Sequence, residues 1–430
     1  MIISYGLIIF ASLFTFNTSY GLMKITLRFV SLFTILLMML MMPESPLFAQ
    51  GSPTDDGDNW MRRLPDNTYV AAVSIPGTHD TATGEGFGED GSLGEEYARC
   101  QDLSIAQQWN VGVRAFDLRP AAFEGYLNCN HGMIATSKRF DEALMQIRDL
   151  LIANPSEFVI IHMLHASDGD MTDDYNTQIL QLLHSDELKD YLVNFKKDLQ
   201  VADVRGKMLI LSRDKYAGTP VGGFFDNWTG SADWTYMTRP TIIGTGTNSS
   251  KVYVQDYSET YKEGDLDIKI AAMKRLLNYG ATHKNKTKAS LVWYFNFASA
   301  YSKVISLFGY EISTSDGYRD NATHTHAAML DFLSSTEYFG PTGVVLMDYA
   351  GVDESGEYKT RGRELVKAII AHNFTYLDDV VAGIPATKID GSEAKAEAFY
   401  SVDGTRLATP QNNAVNIVRY SDGKSRKVLY

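Results

Sequence analysis

Apolar residues along this 430-residue chain recur in short runs rich in β-branched side chains, separated by helix-periodic stretches or long loops. That alternation is the signature of β/α units. Eight runs stand out, at 69–75, 113–118, 125–129, 157–164, 207–212, 251–255, 290–297 and 343–347. Several are apolar almost throughout, as expected of parallel strands buried on both faces. Between them, 140–154 places Leu144, Ile147, Leu150 and Leu151 on one helical face, and 268–277 does so with Ile270, Met273 and Leu277. Further helices are predicted at 104–110, 174–195, 325–334 and 361–372. Two gaps, 120–124 and 214–250, carry no convincing helix. The expected fold is α/β, an irregular (β/α)8 TIM-type barrel. After about residue 379 short strands alternate with Asp403-Gly404 and Asp422-Gly423 turn signals, predicting a small C-terminal β appendage.

The first 49 residues read as a targeting segment. Lys24 and Arg28 precede an apolar run at 29–42, and Leu47-Phe48-Ala49 resembles a cleavage site. A start at Met23 fits, because the apolar run at 1–16 is one that a secretory leader does not need. Neither run reaches the ~18 apolar residues of a membrane span. The expected organisation is a signal region at 1–49, a catalytic barrel at 50–378 and the β tail at 379–430. The protein is then exported, to the medium, the periplasm or the cell surface.

Composition narrows the function. A 45% apolar and 12% aromatic content belongs to globular enzymes, and a formal charge of −13 argues against a nucleic-acid partner. The two cysteines, Cys100 and Cys129, either pair in an oxidising compartment or remain buried thiols. Two cysteines alone make no zinc site.

Candidate chemistry lies where the runs end. His79 and Asp80 follow the first, Asp117 and Arg119 close the second, and His131 follows the third. Arg213, Asp256, Asn296 and Asp348 mark the ends of the fifth to eighth. Barrel enzymes build their sites at strand carboxyl ends. Singly, each residue is equally a cap or a ladder partner; together they form a set. Two histidines that titrate near neutrality and an arginine suited to a phosphate oxygen are the equipment of acid–base phosphoryl transfer. His with Asp also suits a divalent ion. Arg119 in their midst argues against one, since a fixed cation repels a second.

In order along the chain, Ser74-Ile75-Pro76-Gly77-Thr78-His79-Asp80-Thr81, Gly112-Val113-Arg114-Ala115-Phe116-Asp117-Leu118-Arg119, His131-Gly132 and Asn154-Pro155-Ser156-Glu157 resemble bacterial phosphatidylinositol-specific phospholipases C. The resemblance continues through Arg205-Gly206-Lys207, Arg213, Val254-Gln255-Asp256, Asn296-Phe297 and Asp348-Tyr349, covering roughly 60–375. It implies a phosphatidylinositol diacylglycerol-lyase that acts at a membrane surface without a cofactor or metal. His79 would be the general base, oriented by Asp348, and His131 the general acid, assisted by Asp80. Arg119 would hold the phosphate. Asp117, Arg213, Asp256, Tyr257 and Asn296 would position substrate. Substrates would be phosphatidylinositol and, by extension, glycosyl-phosphatidylinositol anchors, and the enzyme would be a monomer.

The chain departs from the family pattern in two places. Leu164 and His165 stand where relatives carry a basic pair, so one inositol or phosphate contact is either missing or supplied by His165. Ser258 stands at the inositol-stacking tyrosine, with Tyr257 one place off. Phe87, the group Phe224, Phe225, Trp228 and Trp234, and the pair Phe308 and Tyr310 are candidate interfacial anchors, or pack beneath their own loops. His324 and His326 read as a solvated turn. Competing readings are a metal-dependent relative acting on another phospholipid or a glycerophosphodiester, and an inactive surface-binding module.

Overall fold

A computed structural model describes residues 59–88, 94–214, 221–228, 241–307, 310–335, 338–381, 396–401, 405–410, 415–420 and 425–429. The expected leader, and its cleavage site, lie outside these.

Nine strands close a barrel. They are β1 (Ile75–Thr78), β2 (Ala115–Leu118), β6 (Val159–Met163), β7 (Met208–Ser212), β8 (Gly223–Asp226), β9 (Thr241–Ile243), β10 (Ser250–Gln255), β11 (Val292–Phe297) and β14 (Val344–Met347), in the order β1-β14-β11-β10-β9-β8-β7-β6-β2. Beside them, β3 (Pro120–Phe123), β4 (Tyr126–His131) and β5 (Ile134–Arg139) form an antiparallel sheet, and β12 (Val304–Leu307) pairs with β13 (Tyr310–Ser313). Four tail strands, β15 (Ala396–Tyr400), β16 (Arg406–Leu407), β17 (Val415–Tyr420) and β18 (Ser425–Leu429), form the expected β appendage.

The TIM-type barrel expected from the pattern is present, with three differences. The run at 125–129 is β4 of the side sheet and not a barrel strand. Two barrel strands, β8 and β9, come from the 214–250 gap, and β9 runs antiparallel to both neighbours. Strands of three and four residues are too short to leave a periodic signal. Third, the run at 69–75 holds a 3-10 turn at Val70–Ala72, and β1 begins only at Ile75. Its Pro76 and Gly77 read as loop, yet Pro76 O accepts from Arg114 N at 2.9 Å. A Cβ on Gly77 would lie 2.7 Å from Leu346 and 2.8 Å from Ala115, so only glycine lets β1 pack there.

Helices flank the barrel at Ile105–Asn110, Phe140–Ala153, Tyr175–Leu183, Asp265–His283, Ser315–Leu333 and Gly362–Val381. The Tyr175–Leu183 helix stops short of the expected 195. The Ser315–Leu333 helix starts ten residues before the expected 325, where Thr314 caps it by accepting from Gly317 N. His326 lies in this helix, buried, with its Nδ1 donating to Thr360 O at 2.7 Å, so it is no solvated turn. Burial lowers its pKa to about 4. His324, on the same helix, is exposed.

Buried apolar side chains of β2, β6, β7, β11 and β14 make one core with the helices outside them. Phe87 is buried under Arg99, and Phe225 is buried near the barrel mouth. Phe224 and Trp228 pack partly against the core. Trp234, Phe308 and the side chain of Tyr310 lie outside the described residues. Cys100 and Cys129 are both buried free thiols.

Candidate active site

The carboxyl ends of β1, β2 and β14 meet at one point. His79 N continues the ladder beyond β1 by donating to Met347 O at 3.0 Å. Buried Gln101 fixes both strand tips, its Nε2 donating to His79 O and Met347 O at 2.8 Å each. Asp80 then adopts a left-handed conformation (φ 42°), which Asp tolerates better than most residues. The turn brings two adjacent side chains to the same place.

His79 Nδ1 donates to Asp348 Oδ1 at 2.8 Å, and its Nε2 lies 3.2 Å from Asp80 Oδ2. Across from it, His131 Nδ1 donates to Ala98 O at 2.7 Å, which fixes the tautomer and leaves Nε2 for the site. That Nε2 lies 3.6 Å from the same Asp80 oxygen and 3.3 Å from the Tyr318 hydroxyl. His131 ends β4, so the second histidine comes from the side sheet and not from the barrel. Arg119 completes the centre, its Nε 3.1 Å from Asp80 Oδ1 and its Nη2 2.9 Å from Asp117 Oδ2. A cleft of about 330 Å³ opens above, lined by His79, Arg119, His131, Arg213, Asp256, Ser258, Ser299, Ala300, Tyr301 and Tyr318.

The electrostatics follow from burial among opposed charges. Burial disfavours the His79 imidazolium, but the Asp80 and Asp348 carboxylates outweigh it, and the pKa of His79 is raised above 6.5. Burial pushes the Asp348 carboxyl up, against the pull of His79. For Asp117 burial also pushes up, yet Arg119 and His162 hold it well below the ordinary carboxylate range. Burial opposes the Arg119 charge too, but Asp117 and Asp80 raise its pKa, so it stays a cation.

All five expected catalytic residues, His79, Asp80, Arg119, His131 and Asp348, are brought together. Arg213 and Asp256 form the far wall, 3.7 Å apart, with Trp228 Nε1 donating to Asp256 Oδ2 at 3.0 Å and the Arg213 guanidinium 4.6 Å over the Trp228 ring. The other expected contacts lie outside the cleft lining. Asp117 is buried beneath Arg119, where His162 Nδ1 donates to it at 2.6 Å. Asn296 is a buried brace, accepting from Gln255 Nε2 at 2.9 Å. The Tyr257 hydroxyl turns to Asp265 Oδ1 at 2.9 Å and does not line the cleft. His165 is stacked on Tyr175 at 3.6 Å with its Nε2 2.6 Å from Asp170, also outside the cleft lining.

The aromatic lining is instead Tyr301 and Tyr318. Neither sat in a recognisable motif, and Tyr318 precedes the point at which a helix was legible. Lys269 was also missed. It is fully buried and donates to Tyr257 O at 2.7 Å and Ser299 O at 2.8 Å, tying together the two loops that carry Ser258, Ser299 and Tyr301. Burial lowers its pKa to about 7.

His79, Asp80 and Cys100 place potential ligand atoms within 4.8 Å of one another. They fit a resident divalent ion poorly. Burial keeps the Cys100 thiol protonated, and the Asp80 carboxylate already faces a guanidinium.

A closed barrel whose acid–base groups gather at the strand carboxyl ends places the protein in the TIM-type class of barrel folds. No family model matches the chain. It is 25% identical over 313 residues to a 1-phosphatidylinositol phosphodiesterase of Staphylococcus aureus (strain Newman), covering 70% of this chain and 91% of that protein. It is 34% identical over 161 residues to the enzyme of the same name from Listeria monocytogenes, covering 36% and 48%. Among solved structures, a pentafluoro-Phe-containing phosphatidylinositol-specific phospholipase C from S. aureus matches with a TM-score of 0.58 at 21% identity, over 73% of this chain and 97% of that one. The phosphatidylinositol-specific phospholipase C of L. monocytogenes matches with 0.53 at 23%, over 74% and 98%. These relatives are bacterial phosphatidylinositol-specific phospholipases C, the family that the ordered motifs resemble.

Proposed function

We propose that this chain is a phospholipase C that cleaves phosphatidylinositol to diacylglycerol and inositol 1,2-cyclic phosphate by two-histidine acid–base catalysis. The observation that carries the mechanism is the placing of both histidines on one carboxylate, Asp80 Oδ2, with Arg119 on its other oxygen. His79, held through Nδ1 by Asp348, presents Nε2 to the inositol 2-hydroxyl and takes its proton as that oxygen attacks phosphorus. His131, held through Nδ1 by Ala98 O, gives the proton on Nε2 to the departing diacylglycerol oxygen. The ring hydroxyl outcompetes water because it is already beside phosphorus, so the first product is cyclic. Negative charge grows on the non-bridging oxygens, and Arg119 meets it with a planar fork of donors. No metal is required. Asp117 keeps that fork in place from below. Arg213 and Asp256, braced by Trp228, hold ring hydroxyls against the wall that Lys269 pins.

Glycosyl-phosphatidylinositol anchors present the same reacting atoms and are proposed as further substrates, acted on by an exported monomer. The test is to offer the purified protein a panel of phospholipid micelles and identify the phosphorus-containing product. Release of phosphorylated head group from inositol lipids alone supports the reading. Turnover of choline or glycerol phosphodiesters in preference to inositol lipids would overturn it.

A further inference from the structure

One polar side chain interrupts the apolar β6 and takes no step in the proposed reaction. His162 lies between Ile161 and Met163, fully buried, in register with Asp117 of the neighbouring β2. Its ring centroid lies 5.1 Å from that of Trp228, 5.7 Å from Phe297, 6.0 Å from Phe295 and 6.1 Å from Phe225. Phe225 belongs to β8 and Phe295 and Phe297 to β11, neither of which neighbours β6, so the imidazole fills the barrel interior. A histidine caged in this way loses its hydration, and a hydrogen bond must offset the loss. That bond goes to the site. Nδ1 donates to Asp117 Oδ1 at 2.6 Å, while Nε2 is buried with no hydrogen-bond partner among the described residues.

The bond reaches beyond burial, because an Asp carboxylate turns easily about its last torsion and Asp117 serves two groups at once. Its Oδ2 accepts from Asp80 N at 3.0 Å, from Arg119 Nε at 3.2 Å and from Arg119 Nη2 at 2.9 Å. Holding Oδ1 fixes where Oδ2 stands. The same imidazole packs on Trp228, whose Nε1 donates to Asp256 and whose face carries the Arg213 guanidinium. One side chain therefore touches both the carboxylate beneath the phosphate-holding arginine and the tryptophan behind the head-group wall. We propose that His162 is a positioning residue with two separable actions. Its Nδ1–H sets Arg119 and the Asp80 turn for the charge that grows at phosphorus. Its ring sets Trp228, and through it Arg213 and Asp256, for the inositol ring. The inference rests on the phospholipase reading, which says what Arg119 and the wall hold.

Two substitutions in the full chain separate the actions. His162→Phe keeps a ring but removes the donor, and His162→Asn keeps a donor near the place of Nδ1 but removes the ring. On phosphatidylinositol micelles, His162→Phe should lower kcat about 10- to 100-fold at unchanged KM, the range for residues that orient a catalytic metal's ligands. His162→Asn should keep kcat and raise KM about two- to tenfold, the effect of losing one aromatic contact. In an Arg119→Lys background the kcat loss of His162→Phe should largely vanish, because the group it positions is gone. Nitrogen–proton spectra without substrate give a second reading, with the Arg119 Nε signal identified by its absence in Arg119→Lys. That proton should exchange with water faster in His162→Phe and at the wild-type rate in His162→Asn. Equal losses of kcat at unchanged KM in both variants would mark a merely structural role and overturn the proposal. Wild-type kcat and exchange in His162→Phe would overturn it too, as would wild-type KM in His162→Asn, which decides alone if His162→Phe does not fold. If the wild type turns over no inositol lipid, the phospholipase reading fails, and the exchange measurement decides whether His162 sets Arg119.

Discussion

Two arginines bracket β2, and the protein uses them in opposite ways. Arg114 lies at the amino end of the strand, fully buried, with its Nε 3.0 Å from Glu157 Oε2 and its Nη1 donating to Trp109 O and Val113 O. Its guanidinium lies 3.7 Å over the Trp109 ring. Arg119 lies at the carboxyl end, also between carboxylates, but its side chain is 17% exposed and lines the cleft. One charge is sealed by protein on every side, while the other keeps an edge turned to whatever enters. The same residue type and the same kind of partner therefore serve stability at one end of the barrel and, in the proposed mechanism, chemistry at the other. What separates them is whether donors are left over for a ligand.

The largest effects are expected at the open end. His79→Ala and His131→Ala should each lose about 10²–10⁴-fold in turnover of phosphatidylinositol, with melting temperatures close to wild type in a thermal scan. Near wild-type turnover in either variant would break the two-histidine account. Arg119→Lys keeps the charge but loses the fork, and a loss of about 10²–10³-fold in kcat is expected, by analogy with removal of an oxyanion donor. Added calcium should not restore it.

At the sealed end the signature reverses. Arg114→Ala strands the Glu157 carboxylate in the core, which should cost about 3–5 kcal/mol in a denaturant titration. The specific activity of the folded fraction should remain that of the wild type. An Arg114 variant that is stable but inactive would erase the distinction between the two ends.

A smaller test uses pH. As the proposed base, His79 acts in its neutral form, and its pKa lies above 6.5, so kcat/KM should fall as pH drops through that raised value. Asp348→Asn removes one of the anions that raise it, and the acid limb should move to lower pH. The same shift bears on stability. A raised folded-state pKa stabilises the fold fully below the unfolded value near 6.5, and that contribution is lost as pH climbs through the folded value.

Much of this was legible in the sequence because it depends on order along the chain. His79, Asp80, Arg119 and Asp348 each follow a barrel strand, so recognising apolar runs and reading the residue beyond each found them. His131 was found by the same rule for a different structural reason, since its run belongs to the side sheet. What stayed hidden depends on side-chain direction. Tyr257 and Asn296 sit at the right positions, but one turns to Asp265 and the other is consumed by Gln255. Conversely, Tyr301, Tyr318 and Lys269 belong to none of the motifs, and only the packing of the Ser315–Leu333 and Asp265–His283 helices brings Tyr318 to the cleft and Lys269 to the loops behind it. β8 and β9 escaped because so few residues carry no period.

The central claim is that Arg119, and not a metal ion, meets the charge while a ring hydroxyl attacks phosphorus. Phosphorus resonance spectra of phosphatidylinositol turnover, recorded from the earliest times in excess chelator, test it most directly. The account predicts inositol 1,2-cyclic phosphate as the first product, formed at the rate seen without chelator. Turnover that stops on chelation and returns with calcium, or acyclic phosphate alone from the first spectrum, would contradict it.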